Sequence, residues 1–168
     1  MTKAAILIDG GFFLKRLPTV RPGVNARDAD AVVKAVWQLV DSHLKQLNRL
    51  AQYQEPHNLL YRCFFYDGRP YQKKEHRPVS GRAVDYAKTS DAKFRQTLFD
   101  GLRRRPNFAV RLGETIRERG WVMNEDAQKA FLNGKRKVAD LTDDDFQPGI
   151  RQKAVDMRIG VDVSSLTL

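Results

Sequence analysis

Carboxylates that close apolar runs are the residues of this sequence best suited to chemistry. Asp9 ends the run Ala4-Ala5-Ile6-Leu7-Ile8 and is followed by Gly10 and Gly11. A short apolar run reads as a buried strand, and open α/β sheets place their ligands at the carboxyl ends of strands. The two glycines let the backbone turn sharply and a ligand or metal approach closely. A capping Asp in a strand-to-helix turn needs the same residues. Asp67 stands similarly after Leu59–Tyr66, inside the turn signal Asp67-Gly68-Arg69-Pro70. Two more acids, Asp156 and Asp162, lie in the final segment. Other chemistries find no support. Three histidines and one cysteine at scattered positions make no zinc set. No Ser-His-Asp arrangement is legible, and no Walker motif is present. The run Asp143-Asp144-Asp145 lacks the alternating spacing and glycine of a calcium loop and reads as a solvated loop.

The second chemical signal is charge. Thirty Lys and Arg against twenty Asp and Glu give +10. That favours polyanionic partners, nucleic acid before an anionic membrane surface. Lys15, Arg16, Arg69, Lys73, Lys74, Arg77 and Arg158 are the expected phosphate contacts, which makes binding salt-sensitive. Phe12, Phe13, Tyr66 and Tyr71 lie near those basic segments and can stack unpaired bases. Packing is the stronger expectation for Phe12 and Phe13.

These residues need a scaffold, and 168 residues suit one domain with a real core. Residues 4–9 read as a first strand and 12–25 as a loop. A long helix runs from about Arg27 to about Gln52, with apolar positions at helical spacing from Val32 to Leu50. His43 on it reads as a packed or boundary residue. Leu59–Tyr66 is the second strand, rich in strand formers, with Cys63 as a small core residue. Residues 70–90 read as a long polar connection. A helix follows from Ser90 to Arg103, then a third strand at Phe108–Leu112. Trp121–Met123 reads as a short extra strand and Asp126–Leu132 as a helix ended by Asn133-Gly134. In 153–166 a strand-like alternation competes with a helical stripe, and periodicity alone does not decide.

In this order the segments resemble the NYN family, a branch of the PIN-like nucleases. Ile6-Leu7-Ile8-Asp9-Gly10-Gly11-Phe12, Phe64-Phe65-Tyr66-Asp67 and Phe108–Gly113 carry part of the match. Its most specific stretch is Arg151-Gln152-Lys153-Ala154-Val155-Asp156-Met157-Arg158-Ile159-Gly160-Val161-Asp162. The resemblance spans the chain, loosely over 70–100 and 114–145. It implies an α/β fold, a Rossmann-like three-layer α/β/α sandwich with a mostly parallel sheet. It also implies a metal-dependent ribonuclease in which acids from several strand ends gather around magnesium or manganese. Asp9 matches the acid after the first strand, Asp156 the acid at the head of the later helix, and Asp162 a further acid within it. Asp9 and Asp156 are thus the expected catalytic residues, and Asp9, Asp156 and Asp162 the expected metal ligands. On a helix, the last two point about 120° apart, which ranks Asp156 above Asp162. Family members continue into a strand ending in a Ser-Gly-Asp-Ser-Asp-like motif. This sequence stops at Leu168, so the resemblance implies an incomplete acidic cluster and missing C-terminal strands.

The leading expectation is a ribonuclease that hydrolyses RNA through a carboxylate-held divalent cation. Such an ion polarises the phosphorus, supplies a nucleophilic water and stabilises the leaving oxygen. The alternative is a noncatalytic RNA-binding or protein-interaction module on the same fold. A phosphatase with Asp9 as nucleophile ranks lower, because Gly11 stands where a second Asp is wanted. One cysteine fits a reducing cytoplasm. Neither a signal-peptide pattern nor a membrane-length apolar run is present. An open sheet edge makes self-association an expectation.

Overall fold

The structure, a computed structural model, describes residues 3–51 and 59–166. Strand β1 is Ala4–Asp9, and helix α1, Gly10–Val20, leaves it with no intervening loop. The expected loop at 12–25 is therefore helical as far as Val20. Asp9 caps the helix by accepting the Phe12 amide at 2.9 Å. Phe13, Leu14 and Leu17 face the core, and that burial carries the helix through Pro18, which lacks an amide to donate. Gly10 is required where it stands. A Cβ there would lie 2.5 Å from the Phe65 ring and 2.6 Å from the Tyr66 carbonyl oxygen.

Helix α2, Ala29–Ala51, matches the sequence expectation up to its last residue, Gln52 lying outside the described residues. Val32, Val36, Val40 and Leu44 recur every four residues and are fully buried. His43 is exposed, its Nδ1 2.9 Å from the Leu39 carbonyl oxygen. Strand β2 is Leu60–Gly68, and it takes Asp67 into the sheet rather than into a turn. The expected unstructured connection contains a small antiparallel hairpin, β3 (Lys74–His76) with β4 (Ala83–Asp85), and a 3-10 turn at Tyr86–Lys88. Helix α3 is Ser90–Arg103, with Thr89 rather than Ser90 as its N-cap.

Strand β5 extends well past the expected segment, from Phe108 to Met123, so that Trp121–Met123 is its far end. Helix α4 is Glu125–Leu132 and strand β6 is Phe146–Lys153. The sheet order is β1-β2-β5-β6. β1, β2 and the first half of β5 run parallel, and β6 pairs antiparallel with the second half of β5. Helix α5, Val155–Leu166, resolves the last segment as a helix.

The class is thus α/β, with a mostly parallel four-stranded sheet flanked by helices. Strand alternation sorts its two faces. Ile8, Cys63 and Phe65 share one core with Val32, Val36 and Val40 of α2 and with Leu98, Phe99 and Leu102 of α3. Burial pushes the Cys63 thiol up to about 12, as suits an inert core residue. Phe64 and Tyr66 face the opposite way, where Tyr66 reaches Asp162 on α5. α5 covers that face sparingly, leaving Met157 and Val161 exposed. β1 is an edge strand, bordered by an apolar groove of about 400 Å³ that includes Ile6, Phe12 and Leu39. Among the described residues no helix is long and apolar enough to cross a membrane.

Candidate nucleic-acid interface

Parallel strands direct their carboxyl ends to one crest, and Asp9, Asp67 and Gly113 mark it on β1, β2 and β5. The register sets Asp9 beside Tyr66 and Tyr66 beside Arg111. All three belong to the face that α5 covers. Adjacent strands lie about 4.8 Å apart, so these three form one short row.

Asp9 is exposed, and its Oδ1 caps α1. Asp162 is already held. Tyr66 donates to its Oδ2 at 2.7 Å, while Arg111 brings Nη2 to 3.3 Å from Oδ1 and Nε to 3.2 Å from Oδ2. The Arg111 guanidinium also lies 5.4 Å from the Phe64 ring centroid. Burial and the Asp162 carboxylate together drive the Tyr66 hydroxyl well above the ordinary tyrosine value. Asp156 is exposed in the first turn of α5. The residue before that helix, Ala154, is left-handed at φ 66°, a conformation that costs a side chain roughly 1–2 kcal/mol. Gly113 makes this junction possible, since a Cβ on it would sit 2.5 Å from the Lys153 carbonyl oxygen.

These acids do not fit a divalent cation as they stand. Asp162 spends both oxygens on Tyr66 and Arg111, and one Asp9 oxygen serves as a helix cap. Among the described residues no group of three or more His, Cys, Asp or Glu gathers to hold a metal ion.

The crest is walled on one side by the β5–β6 ribbon, which continues beyond the end of β2. Its pairing slips between Arg117 and Trp121, a bulge that bends the ribbon. The β3–β4 hairpin leans on it. The Trp121 indole donates to the His76 carbonyl oxygen at 3.1 Å, and Arg117 pairs with Glu75. Arg77 and Arg117 both lie over the Trp121 ring, at 5.9 and 5.3 Å. Asp145, expected in a solvated loop, is instead buried at the base of this region. Arg136 grips it at 2.6 and 2.7 Å and holds its carboxyl well below the usual range.

The expected phosphate contacts divide by position. Arg69 follows β2 directly and faces Glu114 at 3.4 Å. Lys73, Lys74 and Arg77 sit on the hairpin, and Arg158 stands beside Arg111 and Asp162 on α5. Lys15 and Arg16 are exposed on α1, Arg16 along the β1 edge groove.

A crevice of about 380 Å³ opens between this wall and the N-terminal turn of α3. Its floor rests on Asp67, which is fully buried. Arg95 donates to Asp67 Oδ2 at 2.6 Å, Gln152 to Oδ1 at 3.3 Å, and the Gly68 amide to Oδ1 at 2.7 Å. Burial pushes the Asp67 carboxyl up, against the opposing pull of Arg95. A Cβ on Gly68 would fall 2.5 Å from the Gln152 amide carbon and push that side chain away from Asp67. The sequence marked Trp121 only as part of a short strand and Gln152 only as part of the family-like stretch, and it gave no sign of a site role for either, nor for Arg95 or Arg117. No family model matches the chain, and no curated protein or solved structure shows significant similarity to it.

Proposed function

We propose that this chain is an RNA-binding α/β domain of the PIN-like type, engaging single-stranded RNA across the crest and the β5–β6 wall. One observation carries the reading. Arg69, the Lys73–Arg77 hairpin, the Arg77–Trp121–Arg117 stack and Arg158 all belong to the elements that surround the carboxyl ends of the parallel strands. Exposed guanidinium and ammonium groups neutralise phosphates, and aromatic rings accept unpaired bases. The net charge of +10 supports the same partner. The test is fluorescence anisotropy with a labelled single-stranded RNA across a salt series. With five phosphate contacts, affinity falls about a hundredfold between 50 and 200 mM salt. Absence of binding at low salt, or indifference to salt, overturns the proposal.

A second reading is metal-dependent ribonuclease activity with magnesium or manganese. The observation favouring it is the row Asp9–Tyr66–Arg111, because Tyr66 holds Asp162 beside the strand end that carries Asp9. Asp9 and Asp156 are its proposed catalytic residues, and Asp162 would join them as a ligand only on release from Arg111. Gel-resolved cleavage of the same RNA with manganese, wild type against Asp9→Asn, tests it. Manganese-dependent products from wild type alone support it, and equal products from both remove it.

A further inference from the structure

The Asp67 crevice is a preorganised recognition site in which Arg69, at the rim, is the single phosphate contact. Its inner guanidinium is already matched. Arg95 is clamped between Asp67 at 2.6 Å and Asp91 at 3.4 Å, whereas Arg69 pairs only across an exposed contact with Glu114 and keeps its charge for the RNA backbone. A phosphate therefore gains little inside the crevice. What remains on offer is neutral and directional. Gln152 turns its amide nitrogen toward Asp67, which leaves the amide oxygen as an acceptor. Thr115 lines the same crevice, and its buried hydroxyl has no hydrogen-bond partner among the described residues. A buried hydroxyl without a partner costs free energy that a ligand can recover. Tyr71 and Tyr86 supply an aromatic wall, packed edge to face at 5.3 Å. Arg95 and Gln152 are both anchored by a fully buried carboxylate, so little side-chain freedom is lost on binding.

The geometry points to a pocket for one unstacked nucleobase of the bound RNA strand. A planar ring with hydrogen-bond groups on its edge meets the aromatic wall with its face and Gln152 and Thr115 with its edge. A cavity of about 380 Å³ lies within the roughly 300–1,000 Å³ of ligand clefts. This inference rests on the RNA-binding reading above.

The experiment titrates the full chain with two labelled oligonucleotides of equal length, a single-stranded RNA and its abasic ribose-phosphate counterpart. Wild type prefers the base-bearing strand, and Tyr86→Ala weakens that strand by about 5- to 150-fold, the range of one lost stacking contact. The same variant binds the abasic strand as wild type does. Thr115→Val, nearly isosteric and fit to fold, shifts the preference among homopolymer RNAs without changing the abasic titration. A free nucleoside monophosphate binds far more weakly than the oligonucleotide. Equal wild-type affinity for both strands, or no effect of either variant on the base-bearing strand, overturns the pocket while leaving RNA binding standing. Tighter binding of the free nucleotide than of the oligonucleotide also overturns it. Failure to bind either strand removes the RNA reading and the pocket with it.

Discussion

Arg111 holds Asp162 with two guanidinium nitrogens, at 3.2 and 3.3 Å, across 51 residues of sequence. An arginine thus stands where the family resemblance expects a metal ion to meet that carboxylate. The pair neutralises Asp162 within the fold, and Tyr66 completes its coordination at 2.7 Å. Arg111→Gln should free Asp162 and raise manganese affinity severalfold, read by the loss of free manganese signal in electron paramagnetic resonance. Wild type should keep its melting temperature when treated with a chelator. Tight manganese binding by wild type, unchanged in Arg111→Gln, would contradict this account.

Asp67 gives a pH dependence of unusual sign. Its carboxyl is raised by burial, so the folded chain holds that proton to higher pH than the unfolded chain does. Stability from this group is therefore present below the ordinary carboxylate value near 3.9 and is lost as pH rises through the folded value. Urea unfolding of wild type and Asp67→Asn across a pH series should show wild type losing ground to the variant over that window. A constant difference would refute the shift. Arg95→Ala should cost about 3–5 kcal/mol at neutral pH, since it leaves a buried charge without its partner.

Asp145 should behave oppositely. Arg136 holds its carboxyl low, so the stabilisation is present above the ordinary carboxylate value and is lost as pH falls through the folded one. The stability gap between wild type and Arg136→Gln should be widest at neutral pH and should close on acidification. A gap that persists at strongly acid pH would show that packing, rather than charge, holds this turn.

Ala154 sits at φ 66° directly before α5. Glycine adopts that conformation without steric cost, whereas alanine bears about 1–2 kcal/mol. Ala154→Gly should therefore stabilise the chain by about 1 kcal/mol, less the extra unfolded-state entropy of glycine. Chemical denaturation measures it, and destabilisation would mean that the junction relaxes differently.

Lys74 tests the interface without disturbing the core, because it is exposed on β3. Lys74→Ala should weaken RNA binding uniformly across sequences and reduce the salt slope by about one. An unchanged slope would take the hairpin out of the interface.

Much of the scaffold was legible in local pattern. The β1 run, the apolar stripe of α2, the aromatic and β-branched residues of β2 and the span Ser90–Arg103 all announce themselves within a few residues. Periodicity is a local property, and these elements bury one face or one run. The helix at the carboxyl end was ambiguous in pattern, and only the resemblance favoured it. Elsewhere distant partners decided. Residues 12–20 carry Pro18 and surplus charge, yet Phe13 and Leu17 find the Phe65 side of the sheet and stay helical. β5 runs on to Met123 because β6, more than twenty residues later, pairs with it. Asp67 reads as a turn former until Arg95 and Gln152 meet it from α3 and β6. Asp162 reads as a ligand until Tyr66, 96 residues away, and Arg111 take both its oxygens. Composition and spacing determined which groups are present and which elements carry them. Which groups remain available depends on pairs made when distant segments pack, and a linear pattern holds no record of those pairs.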